Sequence, residues 1–296
     1  MKNADAFTDC HPLVNIIFFA AVLAFSMFLM HPVCLGISLF CACLYAVRLQ
    51  GGTALRFSLL TLMPLAIFTA LLNPLFSHKG ATVLAHFPNG APLTLESIYF
   101  GLAAAAMLCC VICWFSAFSL VMTSDKLVFL FGGFAPSLSL VMSMTLRFVP
   151  RFIAKGKEMA AFSRCLGREQ KGFTAKIKNV GRLCSAMLGW ALENAVDTAD
   201  SMKSRGYGLR KRTSFAIYSF SGRDKRLLAW LCVLAVFILA GVQRGAVSWQ
   251  YYPNAVGALA EPYSLSVFAA YLALCLTPTV LGCWEDIRWK SLSSRT

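Results

Sequence analysis

Charged side chains are scarce in this chain, and acidic ones are the scarcest. Aspartate and glutamate together number 13 in 296 residues, and all charged residues make up 14%, whereas a soluble globular domain usually carries about 25%. The hydrophobic share is 58% and the mean hydropathy is +0.67. Because the deficit of charge comes from long uncharged runs, it excludes an ordinary soluble domain and indicates a chain that crosses a lipid bilayer.

Several catalytic signatures are also missing from the sequence. It contains no G-x-x-x-x-G-K-[ST], so we expect this chain not to bind ATP through a P-loop. Neither H-E-x-x-H nor G-x-S-x-G occurs, which argues against metal-dependent and serine hydrolysis. We therefore expect no catalytic residue, no metal ligand and no cofactor in this chain.

Cysteine is abundant, but the spacing of a metal site is absent. The chain has 12 cysteines, and Cys110 with Cys113 forms one C-x-x-C pair. No second pair and no His lies at a zinc-like spacing from it. Most of the other cysteines lie in apolar runs, where a free Cys behaves as a small hydrophobic residue. The pattern predicts packing inside a membrane protein.

Six apolar runs approach the length of about 20 residues that a helix needs to cross the hydrocarbon core. Four of them precede a basic region and two follow it. The sequence therefore predicts an all-α polytopic membrane protein with about six transmembrane helices. The runs cover residues 13–30, 32–47, 55–76, 98–122, 227–242 and 263–283, approximately.

The distribution of basic residues predicts the orientation of these helices. The net charge is +14, and 19 of the 27 Lys and Arg residues lie between Lys126 and Arg226. With both termini in the cytoplasm, 25 basic residues fall inside, and Lys79 and Arg244 fall outside. This asymmetry follows the positive-inside rule. It explains the basic block as a cytoplasmic region, and we do not expect nucleic acid as a partner.

Within the basic region, apolar residues recur at helical spacing. The pattern predicts two long helices over residues 137–166 and 173–205. The uncharged stretch 127–146 is long enough to span the membrane, but Gly132, Gly133 and Pro136 interrupt it. We therefore expect a short interfacial helix and a break near Pro136.

Each predicted long helix ends in a Ser-Arg pair close to a terminating glycine. The first is Ser163-Arg164-Cys165, followed by Gly167, and the second is Ser204-Arg205-Gly206-Tyr207, followed by Gly208. An Arg in the last turn interacts favourably with the helix dipole, and glycine is the usual residue after a helix. The Arg guanidinium also offers five donors in a fixed fork. Two copies at the ends of paired helices favour a binding function.

These motifs resemble the transmembrane T components of energy-coupling factor (ECF) importers, which include the CbiQ-type proteins. Those proteins carry two Ala-Arg-Gly-like motifs at the ends of two cytoplasmic coupling helices. Ser204-Arg205-Gly206-Tyr207 is similar to the second motif, and Ser163-Arg164-Cys165 to the first, with Cys165 where glycine is usual. Arg147-Phe148-Val149-Pro150 resembles the Arg-Phe-x-Pro at the opening of the first coupling helix. The resemblance covers nearly the whole chain.

The resemblance implies a division of labour. Arg164 and Arg205 would each insert into a groove on one of two cytoplasmic ABC-type ATPase subunits, identical or different, which would bind ATP and Mg. A membrane-embedded S component would bind the substrate, a vitamin or a transition-metal ion, in a prokaryotic plasma membrane. Residues 1–124 would form helices 1–4, residues 125–225 the cytoplasmic coupling domain, and residues 226–296 helices 5–6.

Two other classes of membrane protein remain as alternatives. One is an integral-membrane enzyme whose basic region binds an anionic or diphosphate lipid, and the other is a self-contained secondary transporter. Both predict acidic or His residues within the spans, facing a cavity. The six predicted spans contain none, and no inverted repeat is evident.

Two further sets of residues lie near predicted span ends or in an outer loop. We expect the histidines among them to lie at the surface or at an interface, and the tryptophans to anchor the helices at the membrane interface. These residues are His31, His78 and His86, and Trp114, Trp230, Trp249 and Trp284.

Overall fold

The computed structural model describes residues 6–52, 56, 58–77, 80–86, 92–166, 172–208, 218–253, 256–257 and 261–293. Most of these residues are helical, which confirms the predicted all-α polytopic class. The helices are α1 (Pro12–Phe28), α2 (Pro32–Gln50), a π-helical turn (Ser58–Leu62) leading into α3 (Met63–Phe76), α4 (Leu95–Val121), α5 (Ser124–Phe134), α6 (Pro136–Cys165), α7 (Phe173–Ser204), α8 (Gly222–Gln243) and α9 (Pro262–Ser293).

The chain divides into two compact units. One contains Met1–Thr123 with Tyr218–Thr296, and the other contains Ser124–Ile217. The first unit thus holds α1–α4, α8 and α9, and the second holds α5–α7. This division concerns packing alone, so the cytoplasmic placement of residues 125–225 stays a prediction.

The first unit has a core of interlocking aromatic rings. Phe7 contacts Phe18 edge-on at 5.0 Å between ring centroids, and Phe18 contacts Trp114 at 5.8 Å. Phe19 and Tyr45 pack on the same cluster, and all five side chains are fully buried. Edge-to-face pairs of this kind add stability beyond the area that they bury.

Two buried polar side chains contradict the sequence-based expectations. Trp114, expected at the membrane interface, lies in the core, where its Nε1 donates to the hydroxyl of Ser38 at 3.0 Å. His31, expected at the surface or an interface, is also fully buried. Its Nδ1 accepts from the Val33 amide at the start of α2, and its ring lies 4.9 Å from that of Phe268. Both predictions were wrong, because each ring packs inside the unit rather than at its surface.

Short β-hairpins connect the helices at one end of the first unit. β1 (Val83–His86) pairs with β2 (Pro92–Thr94), and β3 (Trp249–Gln250) pairs with β4 (Val256–Gly257), both antiparallel. Glu96, in the first turn of α4, is buried and accepts from the Thr82 hydroxyl at 2.7 Å. This carboxylate therefore holds the loop before β1 against the start of α4.

Ion pairs join the helix ends at the other end of this unit. Arg48, in the last turn of α2, pairs with Asp286 of α9 and donates to the Thr279 carbonyl at 3.3 Å. A side chain at Gly282 would collide with the Arg48 guanidinium, so this glycine makes room for it. Arg223 of α8 pairs with Glu285 at 3.3 Å. Both pairs are partly exposed, so we expect them to fix geometry more than to add stability.

In the same region, the N-terminal segment is held by a side chain of α8. Arg223 donates to the Ala6 carbonyl at 2.7 Å and contacts the Cys10 sulfur at 3.3 Å. Burial raises the pKa of the Cys10 thiol, and the nearby Arg223 offsets only part of that effect. The thiol therefore stays protonated at neutral pH and acts as a packing residue.

The second unit confirms the predicted break and the two long helices. α5 ends at Phe134 and α6 begins at Pro136, with the Ala135 amide bonded to the Phe131 carbonyl at 2.8 Å. The helices predicted over 137–166 and 173–205 are Pro136–Cys165 and Phe173–Ser204. Gly206 follows α7 with φ of 78°, as expected for a terminating glycine, while Gly167 lies outside the described residues.

The candidate membrane spans differ in part from the six predicted. Among the described residues, five helices are long and apolar enough to cross a membrane, namely Pro32–Gln50, Leu95–Val121, Ser137–Cys165, Gly222–Gln243 and Pro262–Ser291. Four of them match predicted spans. The other two predicted spans correspond to shorter apolar helices, Pro12–Phe28 and Leu60–Phe76. The fifth candidate, Ser137–Cys165, lies in the region predicted to be cytoplasmic. It is apolar enough to qualify because its first ten residues carry no charge.

Candidate functional site

The two Ser-Arg motifs lie on a pair of antiparallel helices in the second unit. Three contacts define the pairing of α6 with α7. The Phe152 ring lies 5.3 Å from that of Trp190, Gly156 faces Met187, and the Ser163 hydroxyl lies 3.0 Å from the Asn179 side-chain oxygen. Along α6 these positions ascend while their partners along α7 descend. The helices therefore run in opposite directions.

Gly156 sets how closely the two helices approach. A Cβ built on this residue would lie 3.3 Å from both the Sδ and the Cε of Met187. That distance is tight for a carbon contact, so a larger residue would press on the Met187 side chain. A small residue where two helices meet lets their backbones come close. Gly156 was not singled out from the sequence, where a glycine inside a helix is a weak signal.

The first motif lies in the last turn of α6. Arg164 and Cys165 are exposed, and the Leu166 amide closes the helix by bonding to the Phe162 carbonyl at 3.0 Å. Ser163 donates to Asn179 and so ties this end of α6 to α7. The end of α6 that bears Arg164 is therefore held to α7 by the residue directly before it, Ser163.

The second motif ends α7 in a different way. The Tyr207 amide bonds to the Met202 carbonyl at 3.0 Å, and the Gly206 amide bonds to the Lys203 carbonyl at 2.9 Å. Together with the positive φ of Gly206, these bonds form a Schellman motif. The Ser204 hydroxyl donates back to the Ser201 carbonyl at 2.9 Å. Arg205 is therefore the cap residue of a closed helix end, and its side chain is exposed.

The two motifs lie far apart because the helices are antiparallel. Ser163 contacts Asn179, and Asn179 precedes Ser204 by 25 positions in one continuous helix. At about 1.5 Å per residue, the two motifs are separated by roughly 38 Å. One ligand pocket of ordinary size cannot contain both Arg side chains, so a partner that binds both must supply two separate pockets.

Apolar side chains surround the first motif more densely than the second. Phe162 and Leu166 flank Arg164 and are 61% and 67% exposed. At the second motif the large apolar side chain is Tyr207, which is 50% exposed. Both ends therefore combine a cation with exposed apolar surface, and Arg and Tyr, which occur together at the second motif, are enriched in protein–protein hot spots.

Arg147 and Pro150, predicted to open the first coupling helix, both lie inside α6. Pro150 does not mark the start of a helix, since α6 continues from Pro136 to Cys165. Arg147 is exposed and lines a cavity of about 420 Å³ within the second unit, together with Asp125 and Ser143. Leu140, Met144 and Leu146 complete its lining. Arg147 therefore borders a surface recess of mixed polarity, about four turns before the first motif.

The acidic residues at the ends of membrane helices serve as local hydrogen-bond acceptors. Glu96 holds Thr82, and Asp224 accepts from the backbone and hydroxyl of Ser221 in a capping box at the start of α8. Among the residues that the structure describes, no group of three His, Cys, Asp or Glu side chains could hold a metal ion. Glu96 and Asp224 therefore have a structural role, through hydrogen bonds to Thr82 and Ser221.

Residues 7–215 match the sequence model of the CbiQ family, described as cobalt transport proteins. An uncharacterised protein of Mycoplasma genitalium is 28% identical over 104 residues, which cover 34% of this chain and 23% of that protein. The chain thus spans about a quarter of the length of that relative. The family match covers most of the chain and includes both Ser-Arg motifs.

Proposed function

The chain belongs to the CbiQ family of cobalt transport proteins, which are membrane components of ECF-type transporters, and from this premise we propose that it is the coupling subunit of an ECF importer. In this proposal two cytoplasmic ABC-type ATPase subunits bind ATP and Mg, and each binds one Ser-Arg motif. A separate S component in the membrane binds the substrate, which is a transition-metal ion or a vitamin.

The separation of Arg164 and Arg205 is the observation that carries this proposal. Both arginines are exposed and lie at helix ends that are about 38 Å apart along α7. Each can form charge-assisted hydrogen bonds with carboxylates or carbonyl oxygens of a partner. Two similar motifs at two distant points fit two similar grooves, as a dimer of ATPase subunits would offer.

The helix pair has the mechanical properties that coupling requires. α6 has 30 residues and α7 has 32, each without a break. They meet through the Phe152–Trp190 and Gly156–Met187 contacts near the middle of the pair. A change in the distance between two ATPase subunits would move the two ends and change the angle at this crossing. We infer that the crossing converts ATPase motion into motion of the membrane helices.

Co-purification from membranes tests this function. The tagged chain is expressed with the ATPase subunits of the same genome, and wild type is compared with Arg164→Glu/Arg205→Glu. We expect the double variant to lose ATPase binding by at least about 30-fold, since reversing a buried interfacial charge costs roughly 2–5 kcal/mol. Arg182→Glu is the matched control, because Arg182 is an exposed arginine within α7, and it should retain binding.

The alternative function predicts a different result. If wild type binds no ATPase, or if the double variant binds as well as wild type, the coupling function is wrong. The next assay would then be binding of anionic and diphosphate lipids, because a lipid enzyme would use the basic region for that purpose.

A further inference from the structure

A second cavity lies within the first unit, away from the Ser-Arg motifs. Its volume is about 520 Å³, and it lies between the first turns of α2, the first turns of α4 and the β3 strand with Tyr251. Not one charged side chain is among its lining residues. These are Pro32, Leu35, Gly36, Leu39, Tyr99, Leu102, Ala103, Ala106, Trp249 and Tyr251.

One wall of the cavity is formed by partly exposed apolar side chains of α4. Tyr99 and Leu102 line it and are 50% and 62% exposed. In a helix that crosses the membrane, exposed apolar side chains face lipid or another membrane protein. The cavity is therefore accessible from the hydrocarbon region beside α4.

Aromatic residues with polar atoms surround the same end of the cavity. The Tyr251 hydroxyl donates to the Met30 carbonyl at 2.6 Å, and burial raises the pKa of Tyr251 to about 12. Trp249 and Tyr99 complete this group. Tyr and Trp are enriched where the hydrocarbon core meets the headgroups. The cavity thus extends from the membrane interface into the hydrocarbon region.

Small residues create the space inside. A Cβ built on Gly36 would meet no atom within 4 Å, and Ala103 and Ala106 form part of the facing wall on α4. An empty apolar cavity forfeits the dispersion contacts of its lining atoms, and one that opens into a bilayer is surrounded by acyl chains. Its volume lies within the range of about 300–1,000 Å³ that is usual for ligand sites.

We propose that this cavity binds one acyl chain of a membrane phospholipid, with the headgroup beside Tyr99 and Trp249. The uncharged lining fits a hydrocarbon chain and offers no ligand to a metal ion. A bound lipid would fill the space between α2 and α4 and so maintain their separation. This inference does not depend on the coupling function, because all its residues lie in the first unit.

Contact quenching of Trp249 tests the proposal. The full chain is reconstituted into nanodiscs of phosphatidylcholine with brominated acyl chains, or into matched discs without bromine. The Trp249 signal is the difference between wild type and Trp249→Phe. Bromine quenches tryptophan only near contact, so we expect lower Trp249 emission in the brominated discs than in the matched discs.

Filling the cavity provides the decisive variant. Gly36→Leu places a side chain in the open space without a clash at Cβ, and we expect it to abolish most of the Trp249 quenching. Gly189→Leu, on α7, is the control, because a Cβ there also meets no atom within 4 Å. It should leave the quenching unchanged.

Two outcomes would overturn the proposal. One is equal Trp249 emission in brominated and unbrominated discs, which would show that no acyl chain enters the cavity. The other is full quenching in folded Gly36→Leu, which would show that lipid reaches Trp249 without occupying this cavity.

Discussion

The two compact units of this chain bury their side chains to very different extents. In the first unit, aromatic and aliphatic side chains from α1, α2, α4, α8 and α9 form one buried cluster. Along α6 and α7, by contrast, none of the side chains that the structure describes is buried. The first unit therefore holds itself together by packing, whereas the helix pair of the second unit leaves most of its surface accessible.

The exposed surface of the pair is apolar as well as charged. Leu188, Leu192 and Val196 of α7 are 65%, 70% and 61% exposed, and such surface in a membrane-protein complex marks contact with lipid or with partner subunits. Few contacts join α6 to α7, so the crossing can change at low energetic cost. The individual helices and the first unit are therefore rigid, whereas the crossing of α6 and α7 can adapt.

The largest expected effect comes from removing a ring from the core of the first unit. Trp114→Ala deletes a fully buried side chain and its hydrogen bond to Ser38. We expect a destabilisation of about 3–5 kcal/mol. Leu188→Ala, at an exposed position of α7, should change stability by less than about 0.5 kcal/mol.

Thermal unfolding of both variants in detergent measures this contrast. The fraction of protein that stays soluble and monodisperse after heating gives the unfolding midpoint of each variant. A midpoint for Trp114→Ala as high as that of Leu188→Ala would show that the aromatic cluster does not stabilise the first unit.

A medium effect is expected at the crossing of α6 and α7. Gly156→Leu introduces a side chain where a Cβ would already lie 3.3 Å from Met187, and overpacking of this kind costs about 1–3 kcal/mol. We expect the pair to separate, so that trypsin cleaves the basic residues of α6 and α7 faster while the first unit resists.

Gly181→Leu is the control for this experiment. It lies on α7, where a Cβ would meet no atom within 4 Å, and it should be cleaved at the wild-type rate. If trypsin cleaves both variants at the same rate, the close contact of α6 with α7 at Gly156 does not hold the pair together.

Local signals in the sequence were sufficient to predict the elements of the second unit. Pro136 cannot continue a preceding helix, and the structure breaks at Ala135, directly before it. Gly206 tolerates positive φ, and α7 ends one residue before the predicted position. These features depend on the backbone preferences of single residues, which composition and spacing reveal.

Contacts between elements could not be predicted in the same way. Asn179 lies 16 positions from Ser163, and nothing in the spacing indicates that the two side chains meet. In the first unit, apolar residues occur on all sides of each helix, so hydropathy does not distinguish a lipid-facing side chain from a buried one. That is why Trp114 was placed at the interface and why the cavity beside Gly36 was not foreseen.

The smallest expected effect is at the end of α7. Gly206 has φ of 78°, where a Cβ is strained, and its amide and that of Tyr207 close the Schellman motif. Gly206→Ala should cost about 1 kcal/mol and loosen the turn that carries Arg205. Gly189→Ala, inside α7 at a position without steric conflict, should instead stabilise the helix by about 0.5–1 kcal/mol.

Hydrogen exchange of the Gly206 and Tyr207 amides separates these two changes. Gly206→Ala should speed their exchange about fivefold, the equivalent of about 1 kcal/mol, and Gly189→Ala should leave it unchanged or slower. If ATPase binding weakens by a similar factor in Gly206→Ala alone, the closed helix end positions Arg205 for its partner. Unchanged protection in Gly206→Ala would show that the turn does not depend on this glycine, and the position of Arg205 would then have to be set by contacts of its own side chain.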